Sequence, residues 1–216
     1  MMQGRQIAHS IFIKIIILWV LCGTTGQSKI AMVQKGALGG MTAARLWGAH
    51  VTKESWRMGG WLGVYILTPV VADNLYFRPE LSLCMRGYRL LYENPSDLQD
   101  DLSEAILELT YLDLPLLFQS SIPVDKDLNM DIFFGAYLSW NISATAANKF
   151  GDSKIEDEVN SIRKYDLGFI AGSQLQVSEH CYAQLRGCAG ILPVSDTTNP
   201  SRKYNLWIAA GLQYRL

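Results

Sequence analysis

The stretch Leu75 to Leu91, LYFRPELSLCMRGYRLL, limits the fold more than any other. Leu75, Phe77, Pro79, Leu81, Leu83, Met85 and Gly87 occupy one parity. Tyr76, Arg78, Glu80, Ser82, Cys84, Arg86 and Tyr88 occupy the other. A period of two places these sets on opposite faces of a β-strand, one face apolar and the other bearing charge. At 17 residues the stretch exceeds the five or six typical of soluble strands. Alternation of this kind recurs downstream, giving candidate strands at 33–46, 56–68, 75–90, 104–118, 128–142, 164–177, 180–191 and 203–216. The connections alternate between long (47–55, 91–103, 143–163, 192–202) and short (69–74, 119–127, 178–179). Tight turns at one end and long loops at the other are the layout of an up-and-down outer-membrane barrel.

Alternation alone does not say which face is inside, because a soluble lipocalin-like barrel gives the same string with the faces reversed. Charged residues make up only 18% of the chain, and the polar parities hold Gly, Ser, Asn and Gln with scattered Arg or Asp and almost no Lys. A solvent face would be richer in Lys and Glu. Small residues with a few pairable charges suit the crowded interior of eight strands. The apolar parity carries aromatics at both ends: Trp56, Trp140, Tyr165 and Tyr204 towards the long loops, and Phe77, Phe118 and Tyr214 towards the short turns. Two such belts are expected where a barrel wall crosses the two headgroup regions. These features predict an all-β, eight-stranded antiparallel up-and-down transmembrane barrel.

Residues 1–26 read as a secretory signal, with Arg5 and Lys14 as the basic part, an apolar Ile11–Cys22 run and small residues Thr24-Thr25-Gly26 before Gln27. Residues 27–32 are then a short periplasmic lead and 33–216 the barrel. Of 19 basic residues the mature chain keeps 17, against 20 acidic, so no basic patch points to nucleic acid.

The runs LYFRPELSLCMRGYRL, LELTYLDLPLLFQ, MDIFFGAYLSW, KYDLGFIAGSQLQV and the terminal LWIAAGLQYRL together resemble the outer-membrane β-barrel domain family, the small porin-like or PorT-like group. The pair Gly87-Tyr88 matches its strand-ending glycine and aromatic. Tyr111 to Leu117 matches its YLxxPLL strand, and Asp166 to Gly168 its D-x-G start. The resemblance covers most of 33–216 and departs from the family at the last residue, Leu216, where such barrels close on an aromatic. It implies an outer-membrane location in a Gram-negative cell, with lipid and lipopolysaccharide around the wall and barrel-assembly machinery during insertion. It names no activity.

Arg57, Arg78, Glu80, Arg86, Asp131, Asp166, Arg186 and Arg215 fall on the expected inner face. They are read as an internal salt-bridge network, since a narrow barrel leaves buried charges no alternative but pairing. Glu108 and Asp113 cannot both face inward without a bulge, unless Glu108 sits at the rim. A triad of His50 with Ser55 and Glu54 is conceivable in a long loop, and the acidic run from Asp152 to Glu158 could hold a divalent cation. No G-x-S-x-G, zinc spacing or regular calcium loop is present, however, so no catalysis, metal or cofactor is expected. His50 and His180 and the acidic run Asp152, Glu156, Asp157 and Glu158 read as solvated loops. Cys84, Cys181 and Cys188 are expected to be free thiols: Cys84 and Cys188 lie on opposite walls, and Cys181 faces the other way on the same strand as Cys188, seven residues along an extended chain. Arginine at Ser139 is expected to be better tolerated than at Ile132 or Phe134. The expected role is structural, envelope-interacting or accessory to a secretion or envelope complex. A narrow porin-like passage and a secreted soluble ligand-binding barrel are the alternatives.

Overall fold

The computed structural model describes residues 33–48, 54–70, 74–91, 102–125, 128–150, 153–159, 162–195 and 202–216. The expected signal (1–26), the lead (27–32), His50 and Asp152 lie outside these. The strands are β1 (Gln34–Gly48), β2 (Glu54–Ser55), β3 (Arg57–Pro69), β4 (Leu75–Leu91), β5 (Leu102–Asp125), β6 (Leu128–Phe150), β7 (Ser153–Glu158), β8 (Tyr165–Gln176), β9 (Cys181–Pro193) and β10 (Lys203–Arg215). Eight of them form a closed antiparallel ring in the order β1–β3–β4–β5–β6–β8–β9–β10. The ring closes between β10 and β1, in register from Gly36↔Arg215 to Gly48↔Lys203. Val33–Leu216 is one compact unit.

Along β4, Arg78, Glu80, Ser82, Cys84 and Arg86 are 0–5% exposed, whereas Leu81, Leu83 and Met85 are 48–49% exposed. Polar residues therefore line the inside and apolar ones the outside. Phe134, Phe169, Leu185 and Leu212 continue the apolar exterior around the wall. β1, whose glycines blur its phase in sequence, follows the same rule: Leu38, Thr42, Ala44 and Leu46 point in and Met41 and Trp47 out.

Two expected connections are strand instead. β5 runs through Gln119 to Asp125, and β6 continues to Phe150 before β7 folds back on it, from Phe150↔Ser153 to Thr145↔Glu158. Polar residues in 119–127 and 143–163 resemble loop, but beyond the bilayer a hairpin ladder satisfies the backbone without an apolar face. Glu108 and Asp113 keep opposite parities, because β5 pairs with β4 without a break from Asp113 to Glu104; Glu108 is accommodated at the rim, and the bulge at this level belongs to β6. Thr110 pairs with Ser143 and Tyr111 with Asn141, leaving Ile142 extra. The Asn141 Nδ2 donates to the carbonyls of Ser143 (3.2 Å) and Thr110 (3.5 Å), holding the kink. Asp113 is buried, while the Glu108 side chain stays 46% exposed.

The β3–β4 ladder runs from Pro69↔Tyr76 to Trp61↔Cys84 and then lapses. Pairing resumes through β2 at Ser55↔Arg89, one residue out of register. In the gap, side chains replace backbone donors. The Thr42 hydroxyl reaches across Gly59 to the Met85 carbonyl (2.8 Å), and Arg57 Nη1 donates to the Arg86 carbonyl (3.0 Å). A Cβ on Gly59 would lie 2.8 Å from that hydroxyl oxygen, so the crossing requires glycine. Cys84, Cys181 and Cys188 are free, the first and last buried inside the barrel.

The facing makes a direct prediction. Phe134→Arg puts a cation on the outer wall and should lower folding stability in bilayers by about 2–4 kcal/mol. A urea midpoint equal to that of the unmodified chain, measured in lipid vesicles, would reverse the assignment of faces.

Candidate functional site

The interior is built from alternate residues of the ring strands, and its chemistry is set by three arginines. Arg78 and Arg86 are 0% exposed and Arg186 is 2%. Leaving such cations unpaired in a dry interior is prohibitive, so the surrounding strands supply anions and amide relays.

In the half nearer the short turns, Arg78 Nη1 donates to Gln119 Oε1 (2.9 Å) and Gln174 Oε1 (2.8 Å). Both glutamines turn their Nε2 groups to Asp131 Oδ2, at 2.9 and 2.7 Å. Ser121 Oγ donates to Asp131 Oδ1 at 2.6 Å. A carboxylate only accepts and a guanidinium only donates, so the two amides link Arg78 to Asp131 with every dipole aligned.

Glu80 sits between two guanidiniums. Arg78 Nε lies 2.8 Å from Glu80 Oε1, and Arg186 donates to both Glu80 oxygens, at 2.8 and 3.1 Å. The Phe133 ring lies under both cations, 5.3 Å from Arg78 and 5.4 Å from Arg186, with Tyr65 and Trp61 closing over them at 4.7 and 4.4 Å. The negative ring faces supply further electrostatic stabilisation.

In the half nearer the long loops, Arg86 pairs with Asp113 and with Asp166 Oδ2 (3.3 Å) and touches Ser139 Oγ (3.3 Å). Tyr111, Tyr137 and Trp207 surround its guanidinium at 4.7, 5.0 and 4.7 Å. Asp166 Oδ2 also accepts from the Tyr137 hydroxyl (3.1 Å) and Asn205 Nδ2 (2.8 Å). Tyr137 lies against Gly168, its cross-strand neighbour on β8, where a Cβ would come within 2.6 Å of the ring. Tyr65 over Gly36 and Phe133 over Gly172 repeat this fit, so bulky rings share a narrow interior with backbone left bare for them.

The structure brings Arg78, Glu80, Arg86, Asp131, Asp166 and Arg186 together. It places Arg57 and Arg215 apart. Arg57, on the inward parity of β3, passes over Gly87 to bind Glu108 at 2.9 Å near the long-loop rim. Arg215 stands half-exposed at the short-turn end over Tyr182. Sequence reasoning left Asp113 undecided and passed over Gln119, Gln174, Phe133, Tyr137 and Trp207. Parity marks the last three, since Phe133 and Tyr137 alternate in step with Asp131 and Ser139, and Trp207 with Asn205. The expected tolerance at Ser139 does not follow: Ser139 is 0% exposed, between Asp113 and Asp166 in the ladder and against Arg86, with no room for a second arginine.

On the exterior, Trp56, Trp140, Tyr165 and Tyr204 face outward near the long loops, with Trp140 on Tyr165 and Tyr204 on Trp47. Near the short turns Phe77 packs on Phe118, and Tyr214 on the exposed His180. Glu156, Asp157 and Glu158 lie in β7. Among the described residues no three His, Cys, Asp or Glu side chains are grouped to hold a metal.

Removing Glu80 strands two buried cations. Glu80→Ala should cost about 3–5 kcal/mol in vesicle folding, whereas Glu108→Ala, at a wet rim pair, should cost less than about 1 kcal/mol. Equal losses would mean that the interior is hydrated and its charges screened.

A family model described as outer membrane protein beta-barrel domain matches residues 26–196. No curated protein matches the chain. Among solved structures, the attachment invasion locus protein Ail of Yersinia pestis is 11% identical, with a TM-score of 0.45, over 85% of this chain and 99% of that one. Neisserial surface protein A is 14% identical, with a TM-score of 0.46, over 84% and 97%. OprG of Pseudomonas aeruginosa is 11% identical, with a TM-score of 0.40, over 85% and 96%.

Proposed function

The chain belongs to the outer-membrane β-barrel domain family, and from that premise we propose that it is a plugged barrel, a membrane-embedded anchor whose long-loop end engages other components of the envelope. The filled interior carries this reading. Arg78, Arg86 and Arg186 are buried, each ion-paired and packed on aromatic rings. A solute path through eight strands would have to pass these three side chains, and each is bonded to a residue on a strand across the bore from its own.

What remains for function is the exterior. Export by the N-terminal signal and insertion by the barrel-assembly machinery would deliver the barrel to the outer membrane. The two aromatic belts would then seat it between headgroup layers. The β5–β6–β7 ribbon extends the wall at the long-loop end and gives the loops a rigid base. Binding groups held on such a scaffold need no moving parts. The role carries no catalytic step and no cofactor, and its envelope partner would dock on that end.

Planar-bilayer recording decides between anchor and passage. The purified chain should give no steady single-channel current, and Arg86→Ala, which vacates a cross-section of the interior, should introduce one. A steady, reproducible conductance from the unmodified chain would replace the plugged reading with a narrow passage.

A further inference from the structure

Two features of the outer wall have no part in the interior, and they adjoin. The first is Arg45. It shares the outward parity of Met41 and Trp47 on β1, and its guanidinium carbon stands 5.0 Å from the centre of the Trp56 ring. Its Nε is shielded from solvent and has no hydrogen-bond partner among the described residues. Stacking on Trp56 holds the guanidinium in a fixed plane, a geometry suited to bidentate contact with an anion through its terminal nitrogens. Arg89 and Arg202, both exposed, stand at the same long-loop end of the wall.

The second is an apolar groove of about 460 Å³ across β6, β8, β9 and β10, lined outside by Phe134, Phe169, Ala171, Gly187, Leu206 and Ile208. Gly187 forms its floor. A Cβ there would meet no heavy atom within 4 Å, so the groove exists because one outward position lacks a side chain. Leu206 joins the two features, since it lines the groove and is the cross-strand partner of Arg45.

A free anion has no use for the groove, and a plain hydrocarbon has none for the arginine. A molecule that satisfies both is amphiphilic, with a phosphate beside an acyl chain. The cation lies towards the long loops, which face outward in such barrels. We propose that this side of the wall is a binding site for one phosphorylated, acylated lipid of the outer leaflet, with its phosphate on Arg45 and an acyl chain in the groove over Gly187. The site rests on the outer-membrane reading and is independent of whether the interior conducts.

The test is native mass spectrometry of the full mature chain in detergent, titrated with diphosphoryl lipid A or with dephosphorylated lipid A bearing the same acyl chains. The unmodified chain should retain one diphosphoryl molecule. Arg45→Gln should weaken retention about tenfold, to the level of the dephosphorylated lipid. Gly187→Leu, which fills the groove without touching the charge, should weaken both lipids alike. Retention that ignores the phosphate, or that either variant leaves unchanged, overturns the site. Unboiled and boiled samples run on a gel separate the failures. A heat-dependent shift in migration with unchanged retention removes the lipid site alone. A missing shift in the unmodified chain removes the closed barrel, and the site with it.

Discussion

Hydrocarbon offers a peptide group nothing to bond with, and this one absence dictates the architecture. A strand that crosses a bilayer must find all its partners in neighbouring strands, and a sheet without edges is a ring. Eight strands make the ring here, and eight set a bore just wide enough for side chains. Everything inside follows from that width. Bulky rings fit where glycines on the next strand leave the backbone bare, as Tyr137 does over Gly168. Charges enter in compensated sets, as Glu80 does between Arg78 and Arg186. The exterior obeys the opposite demand and is predominantly apolar.

The interior is divided along its length. Around Arg78, Glu80, Asp131 and Arg186 the formal charges balance, and two glutamines carry the link between strands. Around Arg86 two carboxylates face one guanidinium; Tyr137 and Asn205 donate to Asp166, and the Ser139 hydroxyl oxygen accepts from Arg86. Both sets draw residues from strands far apart in sequence, so each forms only when the ring is complete. Their contribution is to specify register: a strand that slipped by one residue would turn its charges towards lipid.

Parity made the wall legible from sequence. The 75–91 stretch shows its two faces without help, and of the two ways to accommodate Glu108 and Asp113 the structure takes the rim position for Glu108, with the bulge falling on β6 at Ile142 instead. The interior was legible only in part. Its charged members stand out by type, but Phe133, Tyr137 and Trp207 look like wall residues until parity is given priority over hydrophobicity. Parity places Arg57 on the inner side, but its pairing with Glu108 across Gly87 is a contact between strands that no local pattern records. The extended β5–β6–β7 ribbon was hidden for a different reason. Outside the bilayer a strand needs no apolar face, so the alternation that betrays a crossing strand is lost where the ribbon enters water. The lipid-facing groove turns on Gly187, a residue whose importance lies in what it lacks.

The side-chain bonds that bridge the lapse between β3 and β4 give the wall a heritable joint. Backbone ladders are indifferent to sequence, and almost any substitution leaves their hydrogen bonds in place. Between Trp61 and Ser55 the continuity of the ring is instead written in the Thr42 hydroxyl, the Arg57 guanidinium and the empty face of Gly59. A single codon change can remove a bond of the wall itself here. Selection can therefore loosen or tighten the barrel at this one meridian while leaving the remaining walls untouched.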